Sequence, residues 1–218
     1  MSSICTGLIV AIGLFLSTSV GAVYKGDLHF KIYRDGNHVG HDKVTITQDN
    51  DRTIVRRDIK ITIEYAYVTV YEYTHHDREI WKNGSLQSLQ ATTSDNGTHY
   101  KVTAKPEENR LSVSSADTSY QAPSGIIPTS YWNRKLVQQN QLLDTQHGGL
   151  LNVQITPGPK QTVQVGGDTV QAKKYTVEGE LNLKIWYDKN DRWCKTTFQK
   201  SGSTFVYRLQ NSALKKND

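Results

Sequence analysis

The stretch Tyr65-Ala66-Tyr67-Val68-Thr69-Val70-Tyr71-Glu72-Tyr73-Thr74-His75-His76-Asp77-Arg78-Glu79-Ile80-Trp81 sets the reading of the whole chain. Tyr65, Tyr67, Tyr71 and Tyr73 share one parity with His75, Asp77, Glu79 and Trp81, while Ala66, Val68 and Val70 share the other. A period of two is the signature of an extended strand whose successive side chains face opposite ways. On this reading the aliphatic parity is packed core. The tyrosine parity is amphipathic: each ring brings apolar area and a hydrogen-bonding tip. That face suits a half-wet cavity lining, and it equally suits an aromatic ladder across an ordinary sheet.

The same alternation runs outward in both directions. Upstream, Leu28, Phe30 and Ile32 share a face, Asp35-Gly36-Asn37 makes a turn, Val44 and Ile46 mark a second strand, and Thr53 to Ile63 a third. Asp-Gly or Asn-Gly between alternating runs is a strong hairpin signal. Downstream, Asn83-Gly84 leads to Leu86–Thr93, Asn96-Gly97 to His99–Ala104, and Pro106 to Asn109 to the strand Arg110–Ser114. An irregular passage through Pro123 and Pro128 precedes a helix expected over about Ser130–Gln139, with Trp132, Leu136 and Val137 near helical spacing. After Gly148-Gly149, strands resume over Leu150–Thr156, Gln161–Val165, Thr169–Val177, Leu181–Tyr187, Trp193–Gln199 and Phe205–Leu209.

Short turns leave no room for the crossovers that parallel strands need. The expected fold is therefore mainly β: a curled antiparallel meander, an open or partial barrel of roughly ten or more strands with one short helix. The interior of such a curl must be filled by side chains, a plug or a ligand, and the segment around Trp132 is the natural plug.

The amino-terminal stretch bears on compartment. Ile4 to Val20 is almost wholly apolar and uncharged, and Val20-Gly21-Ala22 ends it with small residues. This is the pattern of a cleaved secretory signal. Residues 1–22 are expected to be removed, leaving 23–218 as a single β-rich domain with no transmembrane segment. A spanning helix wants roughly 20 apolar residues, whereas Gly13, Ser17, Thr18, Ser19 and Gly21 break this run. Only Cys194 then remains, so no internal disulfide is available, and it reads as a small core residue. The net charge of +5 is dispersed. Arg56-Arg57 and Lys173-Lys174 each straddle two strand faces, and a nucleic-acid surface would want clustering with aromatic platforms.

Three groups of residues could carry function. Tyr67, Tyr71 and Tyr73 lead into His75, Glu79 and Trp81. Trp186 and Trp193 flank Asp188-Lys189-Asn190-Asp191, where a four-residue loop would set them opposite each other, as a cross-strand pair or a ligand platform. His75-His76-Asp77 with Glu79 is the one cluster of acid–base types. Adjacent histidines on a strand point apart, so both cannot ligate one metal, and no motif for a metal, a phosphate or a nucleophile is present. No cofactor is expected.

Val70-Tyr71-Glu72-Tyr73, His75 to Trp81, Trp132-Asn133, Leu142 to Gln146 with Gly148, Ala172 with Tyr175, Gly179 with Leu181, Trp186-Tyr187-Asp188, Arg192-Trp193 and Phe198 occur in an order that resembles the exported bacterial domain-of-unknown-function family numbered 6134. Arg34-Asp35-Gly36 to His41 is similar too, so the resemblance spans about Leu28 to Leu209. It implies a periplasmic location and supplies no activity or catalytic residue. A looser likeness of pattern links the chain to half-barrel lipoprotein carriers, in which a curled sheet encloses an apolar cavity; that is analogy at the level of fold.

The expected function is a non-enzymatic periplasmic binding or envelope-maintenance protein. It would hold an apolar or amphipathic small molecule or lipid near Tyr67, Tyr71, Tyr73, His75, Glu79, Trp81, Trp132, Trp186 and Trp193. Two other readings stand beside it: a hydrolase or isomerase using His75 or His76 with Glu79, and a structural domain that pairs with a protein through an exposed sheet edge.

Overall fold

In the computed structural model of the chain, residues 26–116 and 118–210 are described; the export signal expected over 1–22 lies outside them. The strands are β1 (Gly26–Arg34), β2 (Asn37–Asp49), β3 (Arg52–Tyr65), β4 (Val68–Lys82), β5 (Ser85–Asp95), β6 (Thr98–Glu107), β7 (Arg110–Ser114) and β8 (Ser119–Pro123). Then follow β9 (Ile127–Pro128), β10 (Gln141–Leu143), β11 (Leu150–Val165), β12 (Asp168–Gly179), β13 (Leu183–Asp188), β14 (Trp193–Lys200) and β15 (Ser203–Leu209). All belong to one 15-stranded sheet in the order β8-β7-β6-β5-β4-β3-β2-β1-β15-β14-β13-β12-β11-β10-β9. Every pairing is antiparallel except the short β9–β10 contact.

The sheet is curled and is not closed by hydrogen bonds: β8 and β9 end the strand order without pairing to each other. Its curvature follows from connectivity. β8 and β9 stand at opposite margins, yet only Ser124, Gly125 and Ile126 join them. Four peptide steps reach at most about 14 Å, so the margins must approach each other. From β9 the chain enters the interior and returns through β10, β11 and the remaining strands until β15 pairs with β1, Phe30 opposite Leu209.

The helix expected over Ser130–Gln139 is a single 3-10 turn, Arg134–Gln138, capped by the Asn133 side chain accepting from the Lys135 N–H. Tyr131, at φ +66, lies in the left-handed region that an L-residue rarely adopts and a helix cannot continue through. Trp132 therefore sits before the turn, and the plug is mostly extended chain. Among the described residues no helix is long and apolar enough to cross a membrane.

The core follows the alternation in most strands: Leu28, Phe30 and Ile32 of β1, Val44 and Ile46 of β2, and Leu183, Ile185 and Tyr187 of β13 are buried. The fourth strand departs from expectation. Tyr65 ends β3, and Ala66 and Tyr67 form the turn, both at positive φ (+49 and +65). β4 thus begins at Val68, and Tyr65 and Tyr67 are exposed, the latter completely. Val68 and Val70 are exposed as well, while His75, Asp77, Glu79 and Trp81 are buried. The expectation that the aliphatic parity forms the core is therefore reversed: the polar parity faces inward.

The β2–β3 pairing depends on a residue without a side chain. A Cβ at Gly40 would lie 2.1 Å from the Lys60 carbonyl oxygen and 2.8 Å from the Ile61 Cα. Backbone cannot swing aside as a side chain can. Gly40→Val is expected to lower stability by about 1–3 kcal/mol, the usual scale of overpacking, read as an earlier urea midpoint.

Candidate functional site

Odd-numbered residues of β4 form an inward row from the rim to the far end of the curl. Nearest the rim, the Tyr71 hydroxyl donates to Asp95 Oδ1 (2.7 Å) and the Tyr73 hydroxyl to Gln146 Oε1 (3.2 Å). His75 follows, with Nδ1 2.7 Å from the Thr93 hydroxyl and Nε2 3.2 Å from Asp77 Oδ2. Glu79 Oε2 accepts from two indoles, Trp81 Nε1 at 2.6 Å and Trp132 Nε1 at 2.8 Å. The two tryptophan rings meet edge to face, 5.6 Å between centroids.

Arg57 of β3 brings a buried cation to this row. Its guanidinium holds Asp42 through Nε and Nη2, the closest contact being 2.7 Å, and Nη1 donates to the Thr129 carbonyl at 3.3 Å. It also lies over the rings of Tyr131 and Trp193, 5.2 and 5.4 Å from their centroids. Burial opposes its charge, but the Asp42 carboxylate outweighs that and raises its pKa. Because Arg57 and Glu79 bind Thr129 and Trp132, and Tyr187 donates to the Tyr131 carbonyl at 2.7 Å, the plug is fixed to three strands.

The neighbouring carboxyls have no such cation in contact. Burial, opposed in part by Arg57, pushes Asp77 up to about 7. Burial, then repulsion from Asp77, pushes Glu79 up to about 7. Asp77 Oδ1 and Glu79 Oε1 have no hydrogen-bond partner among the described residues, and an orphan buried oxygen is far less costly on a neutral acid than on an anion. Burial, reinforced by Arg57, lowers His75 to about 3. The consistent arrangement is neutral throughout: the Asp77 hydroxyl donates to His75 Nε2, and Nδ1–H donates to Thr93.

Above this row lies a cavity of about 680 Å³. Ile59, Ile61 and Ile63 of β3 form one wall, and Phe198 and Phe205 of β14 and β15 another. Arg57, His75, Thr129, Tyr131 and Tyr207 form the deep end, while Arg34, Val70, Lys200 and Glu180 stand at the rim. Leu151, Thr145 and Gln146 close the side formed by the plug. The loop between β10 and β11, which carries Thr145 and Gln146, is tied to β8: the Tyr120 hydroxyl donates to the Gly148 carbonyl (2.7 Å).

Of the residues singled out by sequence, Tyr71, Tyr73 and His75 line the cavity. Glu79, Trp81 and Trp132 form the hydrogen-bonded junction beyond it. Trp193 is buried against Phe30, 4.0 Å between centroids. Tyr67 is at a hairpin tip. Trp186 and Trp193 are not opposite each other: a bulge pairs Trp186 with Lys195 and Tyr187 with Trp193. Trp186 instead donates to Gln161 (2.8 Å) and receives the Lys195 ammonium over its ring, 4.8 Å from the centroid. Arg57, Asp42, Ile61, Phe205 and Tyr207 were not singled out, because their convergence depends on pairings between distant strands. Cys194 is buried, its thiol pushed by burial up to about 12.

The acid–base grouping does not assemble. His76 faces outward and pairs with Asp58 at 2.6 Å, both ring nitrogens of His75 are engaged, and Glu79 lies beneath two indoles. Among the described residues no three His, Cys, Asp or Glu side chains come together to hold a metal ion. The sheet margins also bear on partner binding through an edge. β8 is five residues long and ends at Pro123. β11 pairs with β10 only over Leu150–Asn152, and the rest of it carries Pro157, Pro159, Lys160 and a register shift, features that discourage strand addition.

Comparison with known proteins places these features in a family. The model of the domain of unknown function DUF6134 matches residues 30–210. No curated protein matches the chain. A solved structure, the β-barrel-like protein of the domain of unknown function DUF1849 from Brucella abortus, is similar over 86% of this chain and 97% of its own. The TM-score is 0.58 at 11% identity, a likeness of fold alone.

The raised carboxyls link stability to pH with a definite sign. Folded Glu79 and Asp77 keep their protons up to about pH 7, against 4.5 and 3.8 for the ordinary groups; that contribution is complete at the lower values and lost as pH rises toward 7. His75 works oppositely, since stability is lost as pH falls from 6.5 toward about 3. Two carboxyls outweigh one imidazole, so stability is expected to climb by about 1.4 kcal/mol per pH unit on acidification toward the ordinary carboxyl range. Glu79→Gln, which fixes the neutral shape, is expected to gain about 3 kcal/mol above neutral pH and nothing near the glutamate value, measured by urea unfolding across the range.

Proposed function

The chain belongs to the DUF6134 family, and we propose that it is an exported, non-enzymatic binding protein that holds one amphipathic, acyl-bearing ligand in the curl of its sheet. The observation that carries this reading is the cavity of about 680 Å³ between the β3 isoleucines and the Phe198–Phe205 wall. Its volume falls within the roughly 300–1,000 Å³ usual for small-molecule sites. Phe198 and Phe205 stack 5.2 Å apart, nearly parallel at 4°, giving a flat apolar surface against which a chain can lie.

The polar groups are arranged for orientation rather than reaction. Arg34 and Lys200 stand at the rim, where an anionic or zwitterionic head would remain wet, and Tyr131 and Tyr207 present hydroxyl-bearing rings at depth. The acid–base types of the interior are already engaged with one another, which leaves recognition as the chemistry on offer. Export, and with it a periplasmic site of action, rests on the apolar Ile4–Val20 run ending at Ala22.

Titration with a fluorescent polyene fatty acid tests this directly. Saturable binding of one probe per chain is expected. Ile61→Trp, which fills the cavity from a wall position, is expected to weaken it about tenfold or more, in line with the loss of a few apolar contacts, while far-ultraviolet circular dichroism stays unchanged. Non-saturable uptake, or uptake indifferent to Ile61→Trp, would contradict the reading.

A further inference from the structure

The β3–β4 hairpin carries an exposed apolar tip beside the cavity mouth. Tyr65 is 78% exposed, Tyr67 102%, Val68 62% and Val70 53%, and these four are the large exposed hydrophobic residues of the described chain. They occupy the tip of one hairpin: the end of β3, the turn and the start of β4. Scattered exposed apolar side chains are ordinary, whereas their concentration marks a contact surface.

The turn itself is built against local preference. A two-residue hairpin turn with both positions at positive φ wants Asn-Gly or Asp-Gly. This chain supplies them elsewhere: Asp35-Gly36, Asn83-Gly84 and Asn96-Gly97 all have both residues at positive φ. At the β3–β4 tip the same conformation is imposed on Ala66 and Tyr67, at +49 and +65. A left-handed tyrosine is strained, and what the strain accomplishes is to project a full aromatic side chain from the end of the sheet.

The tip is continuous with the cavity. Ile63, Val70 and Tyr71, from the strands on either side of the turn, are cavity-lining residues, so whatever meets the tip also meets the opening. We infer that the β3–β4 hairpin is a docking element for a lipid bilayer surface, setting the cavity mouth against the membrane so that an acyl ligand passes between them; this rests on the ligand class proposed above. Tyrosine, with an apolar body and a polar end, is a residue of membrane interfaces. A protein partner is a poorer match, since four side chains at a narrow turn fall well short of the roughly 800 Å² per side of a stable interface. Charge is not the driving term: Glu64 and Glu72 are near the tip, and Lys60 lies 3.8 Å from Glu72.

The chain's own optics allow a local test. Its four tryptophans are buried, none more than 5% exposed, so Tyr67→Trp adds a solvent-exposed emitter that stands apart from them. With vesicles of phosphatidylethanolamine and phosphatidylglycerol, its emission is expected to shift to the blue and to be quenched by nitroxide-labelled acyl chains. Replacing Tyr65, Tyr67 and Val68 together by Ser is expected to reduce co-flotation with the same vesicles about tenfold or more, given the apolar area removed. Both proteins are compared with the same amino terminus, checked by mass spectrometry, so that the Ile4–Val20 run contributes equally. An unshifted emission, or equal flotation of the Ser variant, would overturn the docking role. Fatty-acid uptake in solution, measured on wild type, separates the two proposals: uptake by wild type that does not float sinks docking alone, and flotation of wild type that the Ser variant loses, with no uptake by wild type, sinks the ligand reading alone.

Discussion

Two indole N–H groups converging on one buried carboxyl oxygen hold the rest of this architecture in place. Trp81 belongs to the wall and Trp132 to the interior segment, and Glu79 Oε2 accepts from both. A curled sheet encloses space that hydrogen bonds between its own strands cannot fill. Here that space is divided by a tether: Glu79 and Arg57 seize the chain just after it crosses from β8 to β9, and hold it against β3 and β4. Below the tether the interior is packed. Above it, where Thr145, Gln146 and Leu151 line the space, the cavity remains. An unpaired polar group in such surroundings is costly, so the inner polar row specifies where the plug lies as well as stabilising it.

The alternation of apolar residues makes strands, turns and sheet class legible. Leu28, Phe30 and Ile32 are buried as their parity demands, and Asp35-Gly36, Asn83-Gly84 and Asn96-Gly97 turn where their chemistry indicates. Alternation leaves open which parity faces in. On β4 the aliphatic parity looks like core, yet Val68 and Val70 are exposed, while His75 and Glu79 are held inside by Thr93 and Trp132 as well as by their row neighbours Asp77 and Trp81. Thr93 and Trp132 lie outside β4, so their contribution is not written in the strand's own pattern.

Two local irregularities had no readable signal. Ala66-Tyr67 is not turn chemistry, so the hairpin it forms is invisible in the composition, and Tyr67 passes from an inward face to a tip. A bulge in the β13–β14 pairing rotates Trp193 inward against Phe30 while Trp186 remains on the outer face. The candidate site was accordingly half legible: Tyr71, Tyr73 and His75 were marked by their shared parity, whereas the isoleucine wall and Phe205 acquire meaning only when β3 and β15 curve toward each other. The likeness to a β-barrel-like protein at 11% identity fits this picture, since what the two chains share is a way of curling a meander, not a set of side chains.

The central claim is that the polar parity of β4 faces the interior. Single cysteines placed along this strand, with Cys5 replaced by Ser, and challenged with a water-soluble maleimide measure it most directly, because the native Cys194 is buried and does not compete. Cysteines at Glu72 and His76 are expected to react at the rate of an open thiol, and those at His75 and Asp77 to remain protected until denaturant is added. Protection at the even positions with rapid labelling at the odd ones would contradict the account.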